Sequence, residues 1–208
     1  MNRARAAQST IAAAAAILFS TLAAGGDLEL ATDSPVATVE TLQRGLATLA
    51  QHEDATIEQR YAALEPLIDA THDLPYIAEF ALRRQWSALS DADRERFIAA
   101  FRRLSVTTYA ARFANVGPDT FGPTSVAGNS GAERVEVSTS IRRSGAADVP
   151  MQYLLQKESS GWRIINIIAD GVSDLALKRA EYQRLLNAGS IDGLIAELDV
   201  QAERLRKN

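Results

Sequence analysis

The stretch Trp162 to Ser173, Trp-Arg-Ile-Ile-Asn-Ile-Ile-Ala-Asp-Gly-Val-Ser, constrains the fold more than any other part of the chain. Isoleucines stand at 164, 165, 167 and 168. Strand side chains alternate between faces with a period of two, so a regular strand here is apolar on both faces. A sheet with one face in water would instead alternate apolar and polar residues. Apolar matter must then cover each side, a helix layer on one and a cavity on the other. Asp170-Gly171 ends the strand and Ser173 is placed to cap a following helix. The pattern points to an apolar binding protein rather than a catalyst.

The N-terminus reads as a separate element. Arg3 and Arg5 form a basic patch, Ile11 to Ala23 is apolar apart from Ser20 and Thr21, and Ala23, Ala24, Gly25 and Gly26 supply small residues. This is the layout of a signal peptide over residues 1–24, with an apolar run too short for a spanning helix. Residues 25–33 read as a linker and 34–206 as one domain. Cleavage would shift the formal net charge from −4 to −6, because the leader carries two arginines and no acid. An acidic surface argues against nucleic acid, which selects basic patches. The chain has no cysteine, which excludes disulfides, zinc–thiolate sites and lipoprotein processing.

Helical periodicity predicts helices over 35–51, 56–70 and 74–87, then a long one of about 24 residues from a Ser90 cap. Pro66 is expected to kink or shorten the second. The long helix carries an aromatic stripe, Phe97, Phe101, Tyr109 and Phe113, read either as core or as cavity wall. Gly-Pro and Gly-Asn pairs over 115–131 announce a change of texture. Strands are expected over 133–143, 148–157 and 162–169, with a weaker one near 119–127. Two helices, 173–187 and 190–206, close the chain. Helices, then strands, then helices give an α+β class, with helices packed on a curved antiparallel sheet of about four strands.

Catalytic patterns are sparse. His52 and His72 belong to no metal-binding spacing and read as surface or capping histidines. No nucleophile elbow or phosphate-binding glycine loop occurs. The pairs Arg83-Arg84, Arg102-Arg103 and Arg142-Arg143 read as solvated faces, or as contacts to a lipid phosphate or acidic partner. Asp170 is the best acid candidate: it holds a turn, or it acts as the base of a small enzyme.

Several segments together resemble a known family. They are Arg60-Tyr61 with Leu64 to Ile68; the run Trp86 to Phe101 (Trp-x-x-Leu-Ser-x-x-Asp-Arg-x-x-Phe-x-x-x-Phe); Tyr109; Trp162-Arg163 with Asp170 to Ser173; and Gly189 to Leu198. In this order and spacing the chain resembles the periplasmic lipid carriers that include MlaC and the toluene-tolerance auxiliary proteins. Arg83, and Asn166-Ile167 before the turn, depart from the common pattern. The run Ser173 to Tyr182 is more similar to the hopanoid-associated, HpnM-like branch.

The resemblance implies a cup akin to the NTF2-like fold, with a deep apolar cavity and no cofactor. Its cargo would be phospholipid or hopanoid, carried between an inner-membrane ABC transporter complex with an MCE-domain protein and an outer-membrane lipoprotein complex. Candidate lipid-contacting residues are Phe97, Phe101, Tyr109, Phe113, Val137, Ile141, Leu154, Ile165, Ile167 and Val172. Either parity of the strand at 162–169 could face the cavity.

Overall fold

A computed structural model describes residues 30–127 and 132–207. The expected signal peptide, the first part of the linker and the Gly128-Asn129 turn lie outside them. Three helices open the fold: α1 (Pro35–Ala50), α2 (Ile57–Thr71) and α3 (Leu74–Leu82). A 3₁₀ turn (Arg83–Ala88) leads into α4 (Asp91–Arg112). Five strands follow: β1 (Ser125–Ala127), β2 (Arg134–Ile141), β3 (Val149–Glu158), β4 (Gly161–Ala169) and β5 (Val172–Ser173). Helices α5 (Asp174–Ala188) and α6 (Ile191–Lys207) complete the chain. The strands form one antiparallel meander in the order β1-β2-β3-β4-β5. The α+β architecture is thus present, with β5 as a short addition to the expected sheet.

Local chemistry sets the helix ends. Ser34, Thr56, Asp73, Ser90 and Ser173 each accept a backbone N–H of the first turn of the helix they precede. Helix α3 stops at Leu82, short of the expected 87, because Arg83 turns to a positive φ of 49° and the chain tightens into the 3₁₀ turn. That turn gives the Trp-to-Arg motif its physical reason. The Arg94 guanidinium lies over the Trp86 ring at 5.6 Å and its Nε donates to the Trp86 carbonyl at 3.1 Å. Pro66 does not shorten α2, which runs five residues beyond it to Thr71. The carbonyl that loses its donor belongs to Ala62, an exposed residue open to water.

Strand β4 contains the main departure from a regular alternation. Leu155 pairs with Ile164, but the adjacent Leu154 pairs with Asn166, so Ile165 is an extra residue in a β-bulge. The bulge changes parity midway. Ile164 before it and Ile167 and Ala169 after it lie on one face with Met151, Tyr153 and Leu155. Arg163, Asn166 and Ile168 fall on the other, which is only half-buried. The run of isoleucines therefore does not mark a strand sandwiched between helices on one side and a cavity on the other. Helices and cavity share one face.

The outer edge of β4 is covered by the chain itself. Trp162 N–H donates to Thr32 O at 2.7 Å, Asp73 N–H donates to Ile164 O at 3.0 Å, and β5 pairs with Ile168 and Ala169. Glycine is required where Thr32 crosses: a Cβ on Gly161 would stand 2.5 Å from the Thr32 carbonyl oxygen. The β4–β5 reversal uses Asp170 and Gly171, both at positive φ, as a two-residue hairpin turn demands.

Helix α4 is clamped to its neighbours by ion pairs. Arg102 binds Glu65 and Asp69 of α2, Arg96 binds Asp192, and Arg103 binds Asp199. The last two pairs have the same sequence separation, 96, so α4 and α6 run parallel in fixed register.

Candidate functional site

A cavity of about 690 Å³ opens between the concave face of the sheet and the helices. Its floor is β3 and β4, through Met151, Tyr153, Ile164, Ile165, Ile167 and Ala169. One wall is the second half of α4, where Leu104, Thr108, Tyr109 and Phe113 face inward. Leu46 of α1 and Leu74 and Ile77 of α3 add apolar surface, and α5 and α6 form the rim. The bulge at Ile165 shifts the register of β4 and re-aims its side chains, so that Ile165 joins Ile164 and Ile167 in the cavity lining.

The candidate residues divide by position. Phe101, Tyr109, Phe113, Ile141, Ile165 and Ile167 line this cavity. Phe97 and Val137 are fully buried but belong to the packed interior, where Phe97 meets Tyr182 edge-on at 5.9 Å. Leu154 lies on the opposite face of the sheet, in a smaller cleft of about 270 Å³ with Tyr76 and Phe80. Val172 is 51 % exposed beside the hairpin turn and touches neither space. Asp170 is an exposed turn residue outside the cavity, so it has no geometry for a base acting there. The hydroxyl of Ser173 caps α5 and donates to Asn166 Oδ1 at 3.0 Å, which accounts for it structurally.

Sequence reasoning missed the polar element of the cavity wall. His72 is the C-terminal cap of α2 and is buried, unlike the exposed His52. The hydroxyl of Thr71 donates to Leu67 O at 2.8 Å, which leaves its oxygen to accept from His72 Nδ1–H at 2.9 Å. Nε2 then accepts from the Tyr109 hydroxyl at 2.9 Å. Each polar side-chain atom of this Thr71–His72–Tyr109 relay is used, and the imidazole is neutral: burial lowers its pKa to about 4. Burial also pushes the phenol of Tyr109 well above its usual range, and that of Tyr153 up to about 12. Two neutral phenols and a neutral imidazole make a wall that offers no charge to an apolar ligand.

Charge appears only around the rim, at Arg112, Asp174, Lys178, Glu181 and Arg204. Lys178 is paired with Asp174, and Glu181 accepts from the Gln201 amide at 2.9 Å. Leu177 stands among them, 58 % exposed.

The MlaC protein family profile matches residues 38–200. The chain belongs to the MlaC family. The matched span of this MlaC-family chain runs from the N-terminal part of α1 to the middle of α6, taking in the whole sheet. Among solved structures, a phospholipid-binding protein from Ralstonia solanacearum, crystallised in complex with a phospholipid, superposes with a TM-score of 0.74. The two are 21 % identical, and the match covers 83 % of this chain and 98 % of the other. The likeness establishes that the MlaC-family fold described above is shared. Among the described residues, no helix is long and apolar enough to cross a membrane.

Proposed function

We propose that this MlaC-family protein is a lipid carrier that takes the acyl chains of a phospholipid into the cavity on the concave face of the sheet. The observation that carries the reading is the cavity itself, about 690 Å³, walled by isoleucines, aromatics and neutral hydrogen-bonded groups. That size falls in the usual range for ligand pockets. Family membership supports it, as does the phospholipid held by the Ralstonia protein of the same fold.

The energetics suit exchange rather than storage. Two chains of roughly 15 buried methylenes each gain about 24 kcal/mol over water at ~0.8 kcal/mol per CH₂. A bilayer offers nearly the same gain, so the carrier needs only a comparable dry slot and a partner that tips the balance by a few kcal/mol. The protein is exported by its signal peptide to the periplasm. There it receives or delivers lipid at an inner-membrane ABC transporter complex with an MCE-domain protein and at an outer-membrane lipoprotein complex. It binds rather than turns over its ligand: the acid that an enzymatic reading would use, Asp170, lies outside the cavity.

Mass spectrometry of the mature protein purified without detergent is the test. Phospholipid at close to one molecule per protein is the expected result, and a hopanoid mass would reassign the cargo. A protein that carries no lipid and takes up none from phospholipid vesicles is not a carrier.

A further inference from the structure

The arginines of α4 are almost all committed. Arg94 pairs with Asp91, Arg96 with Asp93 and Asp192, Arg102 with Glu65 and Asp69, and Arg103 with Asp199. Arg112, at the last turn of the same helix, has no acidic partner among the described residues, although it is exposed and lines the cavity. On α6, Arg206 pairs with Glu203, yet Arg204 beside it has no acidic partner either and also lines the cavity. The parallel register of the two helices brings these cations to the same end. The separation of 96 that matches Arg96 to Asp192 and Arg103 to Asp199 sets Arg204 level with Thr108, one turn before Arg112. Both acids of the rim are already engaged, Asp174 by Lys178 and Glu181 by Gln201.

An apolar slot whose mouth carries two uncommitted guanidinium groups is matched to a ligand with a long hydrocarbon body and an anionic oxygen cluster at one end. Guanidinium presents a planar fork of donors that fits phosphate oxygens, and it stays charged at any physiological pH. We infer that Arg112 and Arg204 form a phosphate-recognition pair at the mouth of the cavity, holding the phosphodiester of the lipid whose chains lie inside. The inference rests on the carrier reading and deepens it. It makes the ligand anionic and fixes its orientation, with the phosphate toward the ends of α4 and α6. A helix C-terminus attracts cations on its own account. That explains a basic residue at either helix end but not why, among the arginines of α4 and α6, the two without an acidic partner are the two that line the cavity.

Preference for the phosphate separates this inference from chain binding. The mature protein is stripped of lipid and offered equal amounts of a phosphatidylglycerol and a diacylglycerol with identical chains, and bound lipid is quantified after repurification. Two exposed charge contacts predict a preference of about tenfold for the phosphatidylglycerol at low salt, shrinking in high salt as screening shortens. The double variant R112Q/R204Q should take up both lipids equally, each single variant should lose part of the preference, and R84Q, which removes a cation that does not line the cavity, should keep it. Inorganic phosphate, titrated alone by calorimetry, should give no measurable heat, because the chains supply most of the affinity. Tight binding of free phosphate would make the pair a site for that ion and overturn its assignment to a headgroup. Equal uptake by the unmodified protein, or a preference that survives in R112Q/R204Q, overturns the inference and leaves the carrier reading standing. Uptake of neither lipid overturns the carrier reading and this inference with it.

Discussion

Helix α4 joins two regions of opposite character. In its first half Phe97 has no exposed surface and meets Tyr182 edge-on at 5.9 Å, while Phe101 stacks beside it at 6.3 Å. In its second half Tyr109 and Phe113 stack on each other at 5.5 Å, but their outer faces look into the cavity. The residue types are alike and the helix is continuous. What differs is the neighbour. The first half is filled by Tyr182 of α5, whereas the second faces β3 and β4 across the cavity. An aromatic stripe is therefore solid core or cavity wall according to what is brought against it. Phe101, which touches Tyr182 and also lines the cavity, marks the boundary.

Substitutions in the two halves should separate accordingly. Phe97→Ala is the most severe, losing about 3–5 kcal/mol of unfolding free energy in urea titration, with lipid lost only because the fold is lost. If it proves mild, the first half is not packed as described. The next effect is at acid pH, where His72 links the two regions. Its folded pKa, about 4, lies below the usual 6.5, so the unfolded chain binds the extra proton first. Stability from this group is intact above pH 6.5, falls as pH drops from 6.5 to 4, and levels off below, a loss on the order of 3 kcal/mol. His72→Gln should flatten that part of the stability–pH curve, and an unchanged slope would remove His72 as its cause.

Tyr109→Phe removes the hydroxyl that donates to His72 Nε2 and should cost about 1–2 kcal/mol. It should leave chain binding in place, since the cavity keeps its shape. Phe113→Ala is the mildest for stability, about 1 kcal/mol or less for a partly exposed side chain. It should instead change which chain lengths are retained, read by mass spectrometry of bound lipid. Equal destabilisation by Phe97→Ala and Phe113→Ala would erase the distinction between the halves.

Much of the scaffold was legible because it rests on local signals. Ser90 and Ser173 cap helices that begin where their side chains announce them, and the three long strands lie within two residues of their expected ends. The placement of side chains around the cavity was less legible. A period of two cannot reveal an inserted residue, so the four isoleucines of β4 suggested two apolar faces when a bulge had shifted them. For the same reason Leu154 and Val172 could not be separated from Ile141 and Ile167. His72 does cap α2, but its place in the cavity wall was hidden, because its partners, Thr71 beside it and Tyr109 37 residues later, form a relay that only the packing of α2 against α4 assembles. The unpaired state of Arg112 and Arg204 was equally hidden, since it depends on where every acid of α2, α5 and α6 ends up.

The seam between α1 and β4 has a consequence for the order of assembly. The Thr38 hydroxyl reaches the Trp162 carbonyl across 124 residues of chain, and Trp162 in turn holds Thr32. A ribosome adding ~5–20 residues per second needs roughly 6–25 s to make that much polypeptide. For all of that time the first helix lacks the strand it closes against. Contacts of such long range are slow to form even in the finished chain. The seam that ties the first helix to the sheet thus closes only after β4 is made, late in synthesis and after α2 and α4 are already available to pack against each other.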